Sequence, residues 1–542
     1  MDIGPQGVAD FYWPLSFAQQ KRFNDHLLYA FADLLRDGLE RDLAGARELL
    51  SFYQILLPQL FSAYAWESLR RSAEQAGREV ADPPADTHSQ WHALALGRSN
   101  PPSFYFNWMR QGFPRRTMRY YWEKYRKRLS GLFRSGTKPE PTAAGVTLGG
   151  VQGLPHIHSR KGLGGLGADE IIASKRSELI RLHALRESAH CSFMPPSRFF
   201  RPVGSGELPS PASVVDPGLR ADFLDLAEAA FVDIGGFAQP GTVRRGIEEC
   251  LDLGAALASV HMGRLRKGFR QVPARLWTGS AGNAWDRMLR IVMLEKGVRV
   301  SGHDHAGGIN YMQDPGAYLL ELSACSEYVT YSPAQAQAIR DRMPAGRMFH
   351  SRPPDITGLV RNTERELQPV FGEGNGRRVM YIGGLFRSDL IYFYPPLPDM
   401  VVADFESRLF ARLADLGWEI LYKAHPENPI PPEQVFSSFP NLTVVREPYE
   451  QTACMADVVL FSTAATTTFN LTMATDLPMV LVDFGNWEWS PEAYADMSAR
   501  CGVLQGGFGP DNRLQCAWDA LPEALERARE QRMDKTFLDN WL

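Results

Sequence analysis

Glu419-Ile-Leu-Tyr-Lys-Ala-His-Pro426 and Asp457-Val-Val-Leu-Phe-Ser-Thr-Ala-Ala-Thr-Thr-Thr468 are the two stretches whose reading decides the fold. Each begins as a short apolar run of the kind a parallel sheet buries on both faces, and each run stops abruptly in polar residues. From 419 to 484 the pattern predicts strand, loop, helix, strand, loop, helix, strand. In an open α/β sheet, ligands collect beyond the carboxyl ends of the strands, where the next helix offers free backbone N–H groups to an anion. That places His425 and the hydroxyls of residues 462–468 where a phosphate or ribose would sit.

Upstream, Arg378-Val-Met-Tyr-Ile-Gly-Gly384 predicts the strand that opens this unit, with a helix over 400–416 leading into the stretches above. A separate unit opens at Arg275-Leu-Trp-Thr-Gly-Ser-Ala-Gly-Asn283, a strand running into a glycine-rich turn, and continues as a helix over 285–296 and strands at 298–302 and 328–331. Helical periodicity dominates 16–77. The fold class is therefore α/β: two Rossmann-like domains facing a cleft, with a helical N-terminal elaboration. The boundaries read as 1–140 for that elaboration, 141–350 for the first Rossmann-like, acceptor-side domain, 351–500 for the second, and 501–542 for terminal helices packing back across both. Residues 344–376, rich in Pro, Gly and charge, read as a linker, and no strand is predicted after 490.

With 542 residues the chain is too long for one core, and its 44% hydrophobic content suits folded globular domains. A net charge of −4 gives no global case for a nucleic-acid partner. Six scattered cysteines without a CxxC pair suit a reduced, cytoplasmic setting, and no signal-like N-terminus or apolar run long enough to span a bilayer is read. Between 104 and 134 aromatics alternate with Arg and Lys; the segment suits peripheral contact with an anionic membrane or glycan, or a helix with its aromatics inward and its cations in water. His156 and His158 lack further ligands at metal spacing, so no metal is expected there.

His303-Asp304-His305-Ala-Gly307-Gly308 follows a predicted strand. An Asp between two His suits a base or a carboxylate nucleophile; the alternative is a cap on a tight turn. Gly279, Ser280, Gly282 and Asn283 put hydroxyl and glycines at a helix start, suited to an anion or a sugar carboxylate, or to an ordinary turn. Gly383 and Gly384 with Arg387 form a similar turn on the second unit. Lys423, His425 and Pro426 with Ser462, Thr463 and Thr466 converge on one anion site, with Pro426 fixing the backbone that aims His425.

Lys423-Ala-His-Pro426 followed by Phe461-Ser-Thr-Ala-Ala-Thr-Thr-Thr468 resembles the His-Pro and Ser/Thr motifs of bacterial GT-B glycosyltransferases that use CMP-activated acidic sugars. These include sialyltransferases and the retaining β-Kdo transferases of surface polysaccharide assembly. The motifs also resemble those of teichoic-acid polymerases that use CDP-glycerol. Leu276-Trp-Thr-Gly-Ser-Ala-Gly282 and His303-Asp-His-Ala-Gly-Gly308, followed by Glu321-Leu-Ser-Ala-Cys-Ser-Glu-Tyr328, look like the acceptor-side half of Kdo-type transferases. The resemblance covers about 270–485. It implies that His425, Ser462 and Thr463 contact the CMP portion, with Ser462-Thr463 standing where the family carries two serines. It further implies an Asp nucleophile, for which Asp304 is the candidate, and inversion through a general base would need the same residue type. The activity so implied is transfer of an acidic sugar, Kdo from CMP-Kdo, to a glycan or glycolipid acceptor of a lipopolysaccharide or capsule, at the inner membrane's cytoplasmic face. The absence of Asp-x-Asp at a strand end favours metal-independent transfer. A CDP-glycerol-type phosphotransferase and a non-catalytic glycan- or lipid-binding scaffold are the alternatives.

Overall fold

A computed structural model of the protein describes residues 3–8, 11–77, 157–159, 169–174, 177–194, 200, 203–210, 213–234, 240–269, 271–279, 284–304, 311–312, 321–343, 353–359, 366–371, 376–384, 397, 399–425 and 430–542. The basic aromatic segment at 104–134 and His156 lie outside these residues.

The described residues hold two seven-stranded sheets. The first comprises β1 (Ile157–Ser159), β2 (Ile171–Ala173), β3 (Cys191–Phe193), β4 (Arg275–Thr278), β5 (Arg299–His303), β6 (Glu327–Thr330) and β7 (Asp355–Gly358), in the order β1-β3-β2-β4-β5-β6-β7, with every pair parallel. The second comprises β8 (Arg378–Ile382), β9 (Glu419–Lys423), β10 (Leu442–Val445), β11 (Val458–Phe461), β12 (Met479–Asp483), β13 (Gly502–Phe508) and β14 (Leu514–Cys516). Its order is β10-β9-β8-β11-β12-β13-β14, parallel except for the final β13/β14 pair. Strands such as Val458–Phe461 are buried at every position because helices cover both faces, which is why they read as unbroken apolar runs. The two-unit α/β expectation holds.

Four details differ from the sequence reading, the first being that β10 adds an edge strand that falls, along the chain, between the strands read at 419–424 and 457–461. The first sheet does not begin at 275, since β1 to β3 precede it; three-residue strands are too short to show a period. The supposed linker contains β7, which completes the first sheet beside β6. Residues 502–516, assigned to terminal helices, extend the second sheet by two strands, and the glycines of Gly502-Val-Leu-Gln-Gly-Gly-Phe508 hid them.

Helices α1 (Phe17–Glu40) and α2 (Ala46–Gln75) are part of the first domain's core. Ser16 and Gln19 close α1 with a reciprocal capping box. Phe31 stacks on Phe223 at 3.9 Å and Phe23 on Tyr64 at 4.0 Å. Arg287, fully buried in α3 (Ala284–Glu295), donates to the Leu50 carbonyl and lies over the Tyr53 ring, so the N-terminal helices satisfy a cation of the Rossmann unit.

Both ends of the chain tie the two units together. Near the start, Ile3 N–H donates to Val435 and Val8 N–H to Asp404, a buried carboxylate of α4 (Asp399–Asp415) that also accepts from Arg408 and Arg513. At the other end, α5 (Thr536–Trp541) receives hydrogen bonds from the first domain: Ser332 donates to the Asn540 carbonyl and Gln335 to that of Trp541.

Candidate active site

The register of the second sheet sets up one rim. Lys423, Ile382 and Phe461 stand in a row across β9, β8 and β11, so the residues after them, Ala424-His425, Gly383-Gly384 and Ser462-Thr463, emerge side by side. The chain winds outward from β8 through β9 to β10, then returns to lay β11, β12 and β13 on the other flank. The crevice where that direction reverses, between β8 and β11, is where an open α/β sheet takes its ligand. One hydrogen bond straddles it: the Tyr381 and Ser462 hydroxyls are 2.7 Å apart.

The hydroxyls on this rim are poised to donate. Thr466 caps the helix Thr467–Met473 by accepting from Phe469 N–H, and Thr463 Oγ1 accepts from Ala465 N–H at 3.3 Å. Each oxygen is thus engaged by the backbone and keeps its own O–H for a ligand. The helix has seven residues, so its dipole adds little. Gly383 is required for close approach: a Cβ there would run into the Tyr422 ring and hydroxyl. Lys423 is buried and turns its ammonium back onto the Ala424 carbonyl at 3.0 Å, while His425 is exposed at the strand end.

On the first sheet, Thr278 and Gly302 are in register, so Gly279 and His303-Asp304 share a rim. His303 does not face outward. It is fully buried, with Nδ1 2.9 Å from the Thr278 carbonyl and Nε2 2.9 Å from His183 Nδ1; His183 Nε2 in turn meets Glu187 at 3.0 Å. Burial, with His183 alongside, pushes His303 down to about 3, and burial also lowers His183 against the pull of Glu187. Two neutral imidazoles carry two protons for three hydrogen bonds. One of the three contacts is therefore short of a proton, and the tautomers of the two rings decide which. Both ring nitrogens are turned inward, so His303 buttresses the strand end that carries Asp304. Arg290, equally buried, donates to the carbonyls of Gly279 and Glu321 and pins the neighbouring turns.

Asp304 is buried where β5 ends, with its N–H bonded to Val329. Its charge reaches Tyr311 and Tyr328, both of whose phenols are raised well above the ordinary value by burial first and Asp304 second. Tyr311 is set into the other domain: its hydroxyl donates to Asn470 at 2.7 Å, its ring stacks on Trp489 at 5.3 Å, and its carbonyl accepts from Ser490. Asn470 lies one turn along the helix that starts at Thr466. Tyr311 therefore lies within electrostatic reach of Asp304 while it hydrogen-bonds to the helix behind the hydroxyl-bearing rim, across the domain boundary.

No family profile matches the chain, and no curated protein does. Similar solved structures include a UDP-glucosyltransferase from Polygonum tinctorium (13% identical, covering 69% of this chain and 94% of that one, TM-score 0.37). Others are MurG from Acinetobacter baumannii (10%, 71% and 95%, TM-score 0.31) and the glycosyltransferase SsfS6 from Streptomyces sp. SF2575 (11%, 69% and 93%, TM-score 0.28).

The structure thus brings Asp304, Gly279, Gly383, Gly384, His425, Ser462, Thr463 and Thr466 to strand ends. His305, Pro426, Arg387, Ser280, Gly282, Asn283, Gly307 and Gly308 lie outside the described residues. Sequence reading missed His183, Tyr311, Asn470, and the buried set Tyr381, Tyr422 and Glu406. For Glu406 a signal existed: it occupies the apolar stripe of α4 with Leu409, Phe410 and Leu413, where a lone carboxylate is out of place.

Proposed function

We propose that the chain is a GT-B glycosyltransferase that holds a nucleotide-activated sugar on the second rim and carries out its chemistry from the first. The observation that carries this reading is Tyr311, which hydrogen-bonds to the helix behind Ser462, Thr463 and Thr466 and lies within electrostatic reach of Asp304. In this scheme the three hydroxyls and His425 take the departing phosphate, donating to its oxygens as the glycosidic bond to the nucleotide breaks. Asp304 meets the anomeric carbon. As a nucleophile it forms a glycosyl ester that the acceptor hydroxyl then displaces; as a base it takes the acceptor's proton in one step. The His-Pro and Ser/Thr motifs favour CMP as the nucleotide and an acidic sugar, Kdo, as its cargo, with a glycan or glycolipid acceptor.

The test is a donor panel of CMP-, UDP- and GDP-sugars and CDP-glycerol with glycan and glycolipid acceptors, followed for nucleotide release and product linkage. CMP release with a new glycosidic bond is expected. A phosphodiester product would instead identify a CDP-alcohol phosphotransferase, and absence of donor consumption with any acceptor would sink the enzymatic reading.

A further inference from the structure

Beneath the second rim lies a carboxyl the chemistry above does not use. Glu406 is fully buried in α4; its Oε2 accepts from the Tyr422 hydroxyl at 3.2 Å, while Oε1 has no hydrogen-bond partner among the described residues. The groups that face it are Tyr381 from β8, Tyr422 from β9, the Gly384 N–H from the turn after β8, and Asp399 from the start of its own helix; no cation offsets its charge among them. Tyr381 sits between this carboxyl and Ser462, whose hydroxyl is 2.7 Å away and able to act as donor or acceptor.

Proton counting along the row gives two arrangements. With a protonated carboxyl whose free Oε1 closes onto the facing Tyr381 hydroxyl, a hydrogen bond not formed as the side chains stand, Tyr381 donates to Ser462, and the serine proton is free to point out of the rim. With a carboxylate, every hydroxyl turns inward: Tyr381 donates to Glu406, Ser462 donates to Tyr381, and the rim is left with serine lone pairs. An anionic oxygen is attracted by the first arrangement and repelled by the second.

We propose that Glu406, acting through Tyr381, is a positioning residue that sets whether Ser462 meets its ligand as a hydrogen-bond donor, so that capture of a nucleotide phosphate depends on a proton held beneath the sheet. This rests on the reading of Ser462 as a phosphate contact. Burial, which pushes Glu406 up to about 8, keeps the donor arrangement in place near neutrality.

The experiment is calorimetric titration of CMP, UMP and UDP into the full chain between pH 7 and about 9.5, above the second phosphate ionisation near ~6. The wild-type Kd is expected to rise about tenfold across that range, the scale of losing one charge-assisted hydrogen bond. Glu406→Gln, whose amide N–H donates to Tyr381 at any pH, should show a flat profile. Tyr381→Phe, which cuts the row and leaves the Ser462 proton free at any pH, should bind with a flat profile. Thermal melts establish that each variant folds, and if Glu406→Gln does not, the Tyr381→Phe profile decides. The proposal is overturned by tight wild-type binding without pH dependence, or by a wild-type slope surviving in a folded variant. If none of the three nucleotides binds the wild-type chain at any pH, the nucleotide reading itself fails and takes this one with it.

Discussion

Asp304 and Ser462 sit on different sheets, and their surroundings differ as much as their positions. Asp304 is buried within electrostatic reach of phenols that its charge helps to keep protonated, whereas Ser462 is half-buried beside the Tyr381 hydroxyl. Separate jobs should give separable defects. Asp304→Asn preserves shape and removes the charge, so kcat is expected to fall on the order of 10³-fold while the Kd for CMP stays within about twofold. Steady-state rates and calorimetry on one preparation check both halves; a kcat within about tenfold of wild type would remove Asp304 from the chemistry. Intact-mass measurement of wild-type protein with donor alone then separates nucleophile from base, since only the former leaves a sugar adduct. At this scale the sequence was half legible. Polar residues closing apolar runs announced His425, Ser462 and Asp304, but His303, read as catalytic, faces inward because its partner His183 lies 120 positions away on a helix the pattern did not reveal.

The residues that most constrain the rim are those directly after β8. Gly383 lets the backbone pass over Tyr422, and that contact holds the tyrosine hydroxyl on Glu406. Gly383→Ala must displace either the ring or the turn, so it should destabilise the fold by about 1–3 kcal/mol and weaken nucleotide binding as well. Thr466→Ala is the contrasting change: it removes a helix cap worth about 1 kcal/mol together with one rim hydroxyl, without moving β8. Denaturant unfolding paired with CMP titration tells them apart, because only Gly383→Ala should also disturb the pH profile set by Glu406. The elements themselves were legible where an apolar strand of four or more residues lay inside a sheet, but the edge strand β10 (Leu442–Val445), only partly buried, escaped the reading. They were hidden where strands were three residues long, as in β1 to β3, or built on glycine, as in β13.

Across the whole molecule, the two Rossmann-like units are stitched at both ends of the chain. The opening residues hydrogen-bond to the second domain before α1 and α2 enter the first, and the closing helix docks on the first domain after the second is complete. Trp541 is the centre of the closing stitch: it is buried, its indole donates to Asp496 at 2.9 Å, its carbonyl receives Gln335, and its ring sits edge-on to Tyr311. Trp541→Ala should cost about 3–5 kcal/mol and uncouple the units, so that one calorimetric transition becomes two. Nucleotide then becomes a label for the transitions. CMP at about 100 times its Kd adds ~2.7 kcal/mol to whichever unit holds it, and only the second domain's transition should move. Movement of both would mean that the nucleotide contacts the two sheets together, which would place Asp304 and its neighbours in the ground-state complex instead of reserving them for the reacting sugar.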